Sequence, residues 1–137
     1  SKTNDVLMPT SDVTPRGLAK ASCVKEDGVV LGGDILVIRP DSKVVLGSFL
    51  SYVIRHQEAQ VLQLVTGSTV YHLYGSDMKK FIFSAPSVSE QISITEILEV
   101  MGEELKALEL YRNKTAALKQ GMMQELLTGR IRLICAI

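Results

Sequence analysis

The segment Pro9-Thr10-Ser11-Asp12-Val13-Thr14-Pro15-Arg16 crowds hydroxyls, a carboxylate and a guanidinium between and beside two prolines. Groups of these types read base edges through hydrogen bonds or hold a phosphate, so Thr10, Ser11, Asp12, Thr14 and Arg16 are candidate DNA-contacting residues. The same composition also builds an ordinary polar turn. A second turn, Thr66-Gly67-Ser68-Thr69, has Lys79-Lys80 a few residues on. Gly67, Ser68, Thr69, Lys79 and Lys80 are therefore candidates for cradling a phosphate.

Catalytic constellations are scarce. Neither Gly32-Gly33-Asp34 nor Gly67-Ser68-Thr69 is followed by the Gly-Lys-Ser/Thr of a phosphate loop, and neither fits a dinucleotide fingerprint. His56 and His72 lack a carboxylate or cysteine at metal-ligand spacing, so no metal site is expected. Ser68 beside His72 has no nucleophile elbow or oxyanion framework around it. Cys23 and Cys135 fit no metal or redox spacing and read as buried or incidental thiols. Cys135 stands third from the end, which is not a prenylation box. An independent enzyme is not expected.

The chain has 137 residues, with 15 basic and 15 acidic side chains and a formal net charge of zero. That suits one modest domain plus an extended element. No apolar run approaches the roughly 20 residues that span a bilayer, and no charged-then-apolar leader is present, so a cytoplasmic protein with no membrane partner is expected. Segment 1–86 carries one more basic than acidic side chain. This excludes a strongly basic non-specific binder but is compatible with a reader whose positive groups share one face.

The elements that must position the two loops are short. Asp5-Val6-Leu7-Met8 and Gly33 to Pro40 read as strands, with Leu18 to Val24 a weaker third. From about Leu46 to Val65 the apolar residues recur with helical spacing, in two helices broken near His56-Gln57. Ser76-Asp77 starts a turn, and Phe81-Ile82-Phe83 is read as a final strand. Asp5 to Met8 resembles an interior strand with no partner upstream. Residues 1–86 are therefore expected to be the later part of a larger domain, shortened artificially or in its gene.

From Ser87 to Leu133 the pattern changes to one helix of about 40 residues with a short tail. Ser87-Val88-Ser89-Glu90 fits a capping box and Thr128-Gly129 a stop signal. Such a helix spans roughly 60 Å, too long for a domain of this size, so most of it is expected to project. Ile94, Leu98, Met101, Leu105, Leu108, Tyr111, Thr115, Leu118 and Met122 follow at steps of three or four, the seam of a coiled coil. Six acids but only Lys106 among the bases lie between Ser87 and Glu109; Arg112, Lys114, Lys119, Arg130 and Arg132 against Glu125 follow. The helix dipole favours that polarity only over the terminal turns. An antiparallel pair sets each acidic half along a basic half, so an antiparallel coiled coil is expected.

The order of these features resembles the specificity subunits of type I restriction-modification enzymes. The resemblance is carried by Gly33 to Pro40, Phe49-Leu50-Ser51-Tyr52, Gly67-Ser68-Thr69-Val70, Asp77-Met78-Lys79-Lys80, and Glu90-Gln91-Ile92 opening the long helix. The close, Lys119 to Leu133 with Leu126-Leu127-Thr128-Gly129-Arg130-Ile131-Arg132, is very similar to the end of such subunits. The resemblance implies DNA recognition without catalysis. It also implies methyltransferase subunits using S-adenosylmethionine and an ATP- and Mg-dependent restriction subunit as partners, with no cofactor on this chain. In that family two recognition domains are spaced by two antiparallel helices. This chain has one such helix, so a homodimer through the seam is the expected route to two reading sites.

The expectation is thus an α+β protein. Residues 1–86 form a partial, small mixed α/β target-recognition domain contacting double-stranded DNA, and residues 87–137 form the spacer helix and tail. The competing reading is a coiled-coil homodimeric scaffold whose small domain binds protein.

Overall fold

The computed structural model describes residues 1–133. Its fold is α+β, with small antiparallel sheets and a long C-terminal helix. In chain order the strands are β1 (Val6–Pro9), β2 (Ser11–Asp12), β3 (Ser22–Cys23), β4 (Ile35–Ile38) and β5 (Tyr71–His72). The helices are α1 (Gly47–His56), α2 (Glu58–Leu62), α3 (Gly75–Met78) and α4 (Val88–Leu127). The chain forms two compact units, the first Ser1–Glu96, which includes the opening turns of α4, and the second beginning at Ile97.

Strand β1 is central in a three-stranded antiparallel sheet of order β3-β1-β4, with Val6 opposite both Cys23 and Ile38. Alternation sends Val6 and Met8 into the core, where they meet Leu18, Leu50, Ile54, Val61, Leu73 and Met78. The strand expected over Leu18 to Val24 shrinks to β3. A 3-10 turn at Pro15–Ala19 takes the upstream residues, burying Leu18 and Ala19.

Asp5, just before β1, is fully buried and ionised. Its carboxylate accepts from Arg39 Nε at 2.7 Å, Arg39 Nη2 at 2.8 Å and the Lys2 amide at 2.7 Å. The hydrogen bonds from Arg39, and then that from Lys2, hold its pKa at about 2 against the opposing pull of burial.

The start of α1 is capped from distant parts of the chain. The Leu46 amide donates to Gln91 Oε1 at 2.9 Å and the Gly47 amide to Asn4 Oδ1 at 2.6 Å, satisfying donors that a helix leaves orphaned. Asn4 adopts a left-handed φ of 75°, and a Cβ on Gly47 would overlap its carbonyl oxygen. Helices α1 and α2 part at Gln57, where the helix break is expected.

The strand expected at Phe81 to Phe83 does not form. The backbone is irregular there, and its partner is a side chain: Gln60 Nε2 donates to the Ile82 carbonyl at 2.9 Å, and the Ile82 amide donates to Gln60 Oε1 at 2.6 Å. Ser76-Asp77, expected as a turn, lies in the one-turn helix α3.

Helix α4 runs for 40 residues. Ser87 Oγ accepts from the Glu90 amide at 3.3 Å, the donor half of the expected box. Past the far end Gly129 takes φ 73°, and the Ile131 amide reaches back to the Glu125 carbonyl at 3.2 Å. Gln91 is fully buried in the first unit, donating to the carbonyls of Val44 at 2.9 Å and Pro86 at 2.8 Å. Along the seam Ile94 and Leu98 are half-buried, while Met101, Leu105, Leu108, Tyr111, Thr115, Leu118 and Met122 are exposed. No helix of the described residues is long and apolar enough to cross a membrane. The tail with Cys135 lies outside the described residues.

Candidate nucleic-acid interface

Fifty-odd residues separate the two polar loops in sequence, yet one small sheet joins them. Strand β2 pairs antiparallel with β5, setting Ser11 opposite His72 and Asp12 opposite Tyr71. The Leu73 amide donates to the Thr10 carbonyl at 2.9 Å. His72 also bridges Thr66 in both directions: the Thr66 amide donates to its carbonyl at 3.0 Å, and its amide donates to the Thr66 carbonyl at 2.7 Å. These bonds close Gly67 to Tyr71 into a tight hairpin. Gly67 turns the tip at φ 112°, and a Cβ there would overlap the Val70 carbonyl, so the position requires glycine. Ser68 and Thr69 stand exposed at the tip.

Residues directly opposite in an antiparallel pair share a face, so β2 and β5 have two distinct sides. On the inner side Tyr71 packs against the core, and Asp12 lies over Gly17, where an added Cβ would overlap its carboxylate. On the outer side are Ser11 and His72. Beyond them Leu73 is fully buried and Tyr74 is 55% exposed. The His72 and Tyr74 rings lie within 18° of parallel with centroids 6.1 Å apart.

Several candidate groups are engaged within the chain. Asp12 Oδ1 accepts from the Thr14 amide at 2.7 Å and from its hydroxyl at 2.9 Å, which shapes the loop and lowers the Asp12 pKa. Arg16 Nε lies 3.1 Å from Glu58 Oε1 in the first turn of α2. Lys80 Nζ lies 2.8 Å from Asp77 Oδ1. Lys79 is exposed, and among the described residues it has no ion pair. No hydrogen bond among the described residues joins either lysine to the Gly67-Ser68-Thr69 tip. The β2/β5 sheet therefore brings together Thr10, Ser11, Asp12 and the glycine hairpin, while Lys79 and Lys80 follow on the far side of α3.

His72 and Tyr74 were not among the sequence candidates. Tyr71-His72-Leu73-Tyr74 is too short and too mixed in polarity to show an alternation, so no local pattern singles them out. Among the described residues no group of three or more histidines, cysteines or carboxylates is placed to hold a metal ion.

A face of hydroxyls, an imidazole and a phenol, with little net charge, is suited to hydrogen bonding with a polar surface rather than to bulk attraction. Residues 4–120 match the family model of the type I restriction modification DNA specificity domain. No curated protein matches the chain.

Proposed function

The chain belongs to the type I restriction-modification DNA specificity family, and from that premise we propose that it reads duplex DNA with the β2/β5 face and spaces two such readers with α4. The observation that carries this reading is the meeting of the Thr10 to Arg16 loop and the Gly67 hairpin on one sheet. Ser11, Ser68 and Thr69 supply hydroxyls to base edges or phosphates, and Lys79 supplies a phosphate contact. Asp12, Thr14 and Arg16 hold the loop in shape.

The second half of the proposal concerns assembly. An exposed apolar stripe from Met101 to Met122 is costly to leave in water and fits a second copy. In an antiparallel pair, Glu96 to Glu109 of one copy lies along Arg112 to Lys119 of the other, giving attraction on both flanks. The pair then presents two identical reading domains. Methyltransferase and restriction subunits dock on this assembly and carry the S-adenosylmethionine, ATP and Mg, while this chain supplies recognition without catalysis in the cytoplasm.

The test is titration of the purified full chain with duplex DNA at several salt concentrations. Binding that weakens linearly on a log-log salt plot is expected, with a shallow slope because few cations face the DNA. No binding at low salt would overturn the proposal and favour a protein-binding scaffold.

A further inference from the structure

His72, on β5, and Tyr74, which leads into α3, carry aromatic rings that lie side by side. Leu73 between them is fully buried, whereas Tyr74 is more than half exposed. His72 sits where the two candidate loops meet, opposite Ser11 on one side and bridged to Thr66 on the other. Its ring lies within 18° of parallel to that of Tyr74 at 6.1 Å between centroids, so the pair presents two polar tips side by side. Around it, Asp12, Thr14, Arg16 and Lys80 are bound internally. Ser68, Thr69 and Tyr74 are exposed beside it, and Ser11 and His72 are half-buried.

We propose that His72 and Tyr74 contact base edges in the DNA groove and so set sequence preference, rather than holding phosphates. This rests on the DNA-reading role proposed above and names its central residues. The chemistry fits a base edge. An imidazole and a phenol each donate and accept, matching the N7, O6 and O4 acceptors and the amino donors of the groove, and their ring faces pack on a thymine methyl. The geometry fits as well, because the backbones of both residues are held by hydrogen bonds, His72 in the sheet and Tyr74 at the start of α3, which limits the freedom lost on binding. A charge-driven phosphate contact would call for a cation, and Arg16, the cation of this loop, pairs with Glu58.

The experiment is selection of bound sequences from a random duplex library by the full chain, with His72→Asn, His72→Ala, Tyr74→Phe and Tyr74→Ala beside the wild type. The wild type is expected to enrich a motif. Each alanine variant should reduce discrimination at one or two positions of that motif by roughly tenfold to hundredfold, with the salt slope unchanged. Tyr74→Phe keeps the ring and loses only the hydroxyl, so it reports on base contact even if Tyr74→Ala unfolds. His72→Asn serves the same purpose for the imidazole.

If all four variants enrich the wild-type motif as strongly, the inference is wrong while the DNA-reading role stands. A uniform loss of affinity across sequences, with no change in the enriched motif, would make the pair a phosphate contact, which also overturns it. If the wild type binds no duplex DNA, the role and the inference fall together.

Discussion

Replacing Gln91 with alanine removes three hydrogen bonds at one buried point. Its side chain accepts from the Leu46 amide at 2.9 Å and donates to the carbonyls of Val44 at 2.9 Å and Pro86 at 2.8 Å. Alanine leaves all three backbone groups without that partner, and the Leu46 amide stands at the orphaned start of α1. A buried polar group left unsatisfied costs about 1 to 3 kcal/mol. Partial solvation of the exposed Val44 and the half-buried Pro86 places those two at the low end of that range. The expected loss is therefore about 3 to 5 kcal/mol in total, a large part of the 5 to 15 kcal/mol typical of a folded domain. Urea denaturation followed by circular dichroism measures it: the midpoint should fall sharply with little change in slope. A Gln91→Ala protein within about 0.5 kcal/mol of the wild type would refute the claim that this side chain ties the first turns of α4 to α1.

Four other outcomes are expected. Asp5 has a folded pKa of about 2 against 3.8 when free, so its contribution of about 2 kcal/mol is present above pH 4 and lost as pH falls through 2; acid unfolding of Asp5→Asn should lack this component. Gly47→Ala drives a methyl into the Asn4 carbonyl and should cost about 1 to 3 kcal/mol in chemical denaturation. Thr95→Val removes a buried hydroxyl that has no hydrogen-bond partner among the described residues, and should raise stability in chemical denaturation by about 1 kcal/mol. Leu105→Glu with Leu108→Glu places charges on the exposed stripe, and light scattering should then report a monomer where the wild type is a dimer; a persisting dimer would remove the seam from the proposal.

What the sequence revealed depended on how local its cause was. Val6 to Met8 and Ile35 to Ile38 were legible because apolar β-branched and aliphatic residues cluster between breakers. Both ends of α4 were legible because Ser87 and Gly129 act within a few residues of themselves. Strands β2 and β5 were not, since two-residue strands of Ser, Asp, Tyr and His show no periodicity and exist only through pairing with each other. Phe81 to Phe83 has strand composition but no partner strand among the described residues, and Gln60 supplies the amide instead. The caps of α1 come from Asn4 and Gln91, more than forty residues away on either side, so no local window contains them. The two loops are legible from their chemistry. That they share a sheet, and that His72 and Tyr74 lie beside them, follows from long-range pairing alone.

The hairpin at Gly67 also separates what must stay constant from what is free to vary. Its shape rests on one glycine and on backbone hydrogen bonds between Thr66 and His72, none of which depends on the side chains of Ser68 or Thr69. Exchanges at those two tip positions therefore leave folding stability within about 0.5 kcal/mol, the usual range for surface sites. A protein built this way can sample new chemistry at its tip one residue at a time, with the scaffold indifferent to the choice.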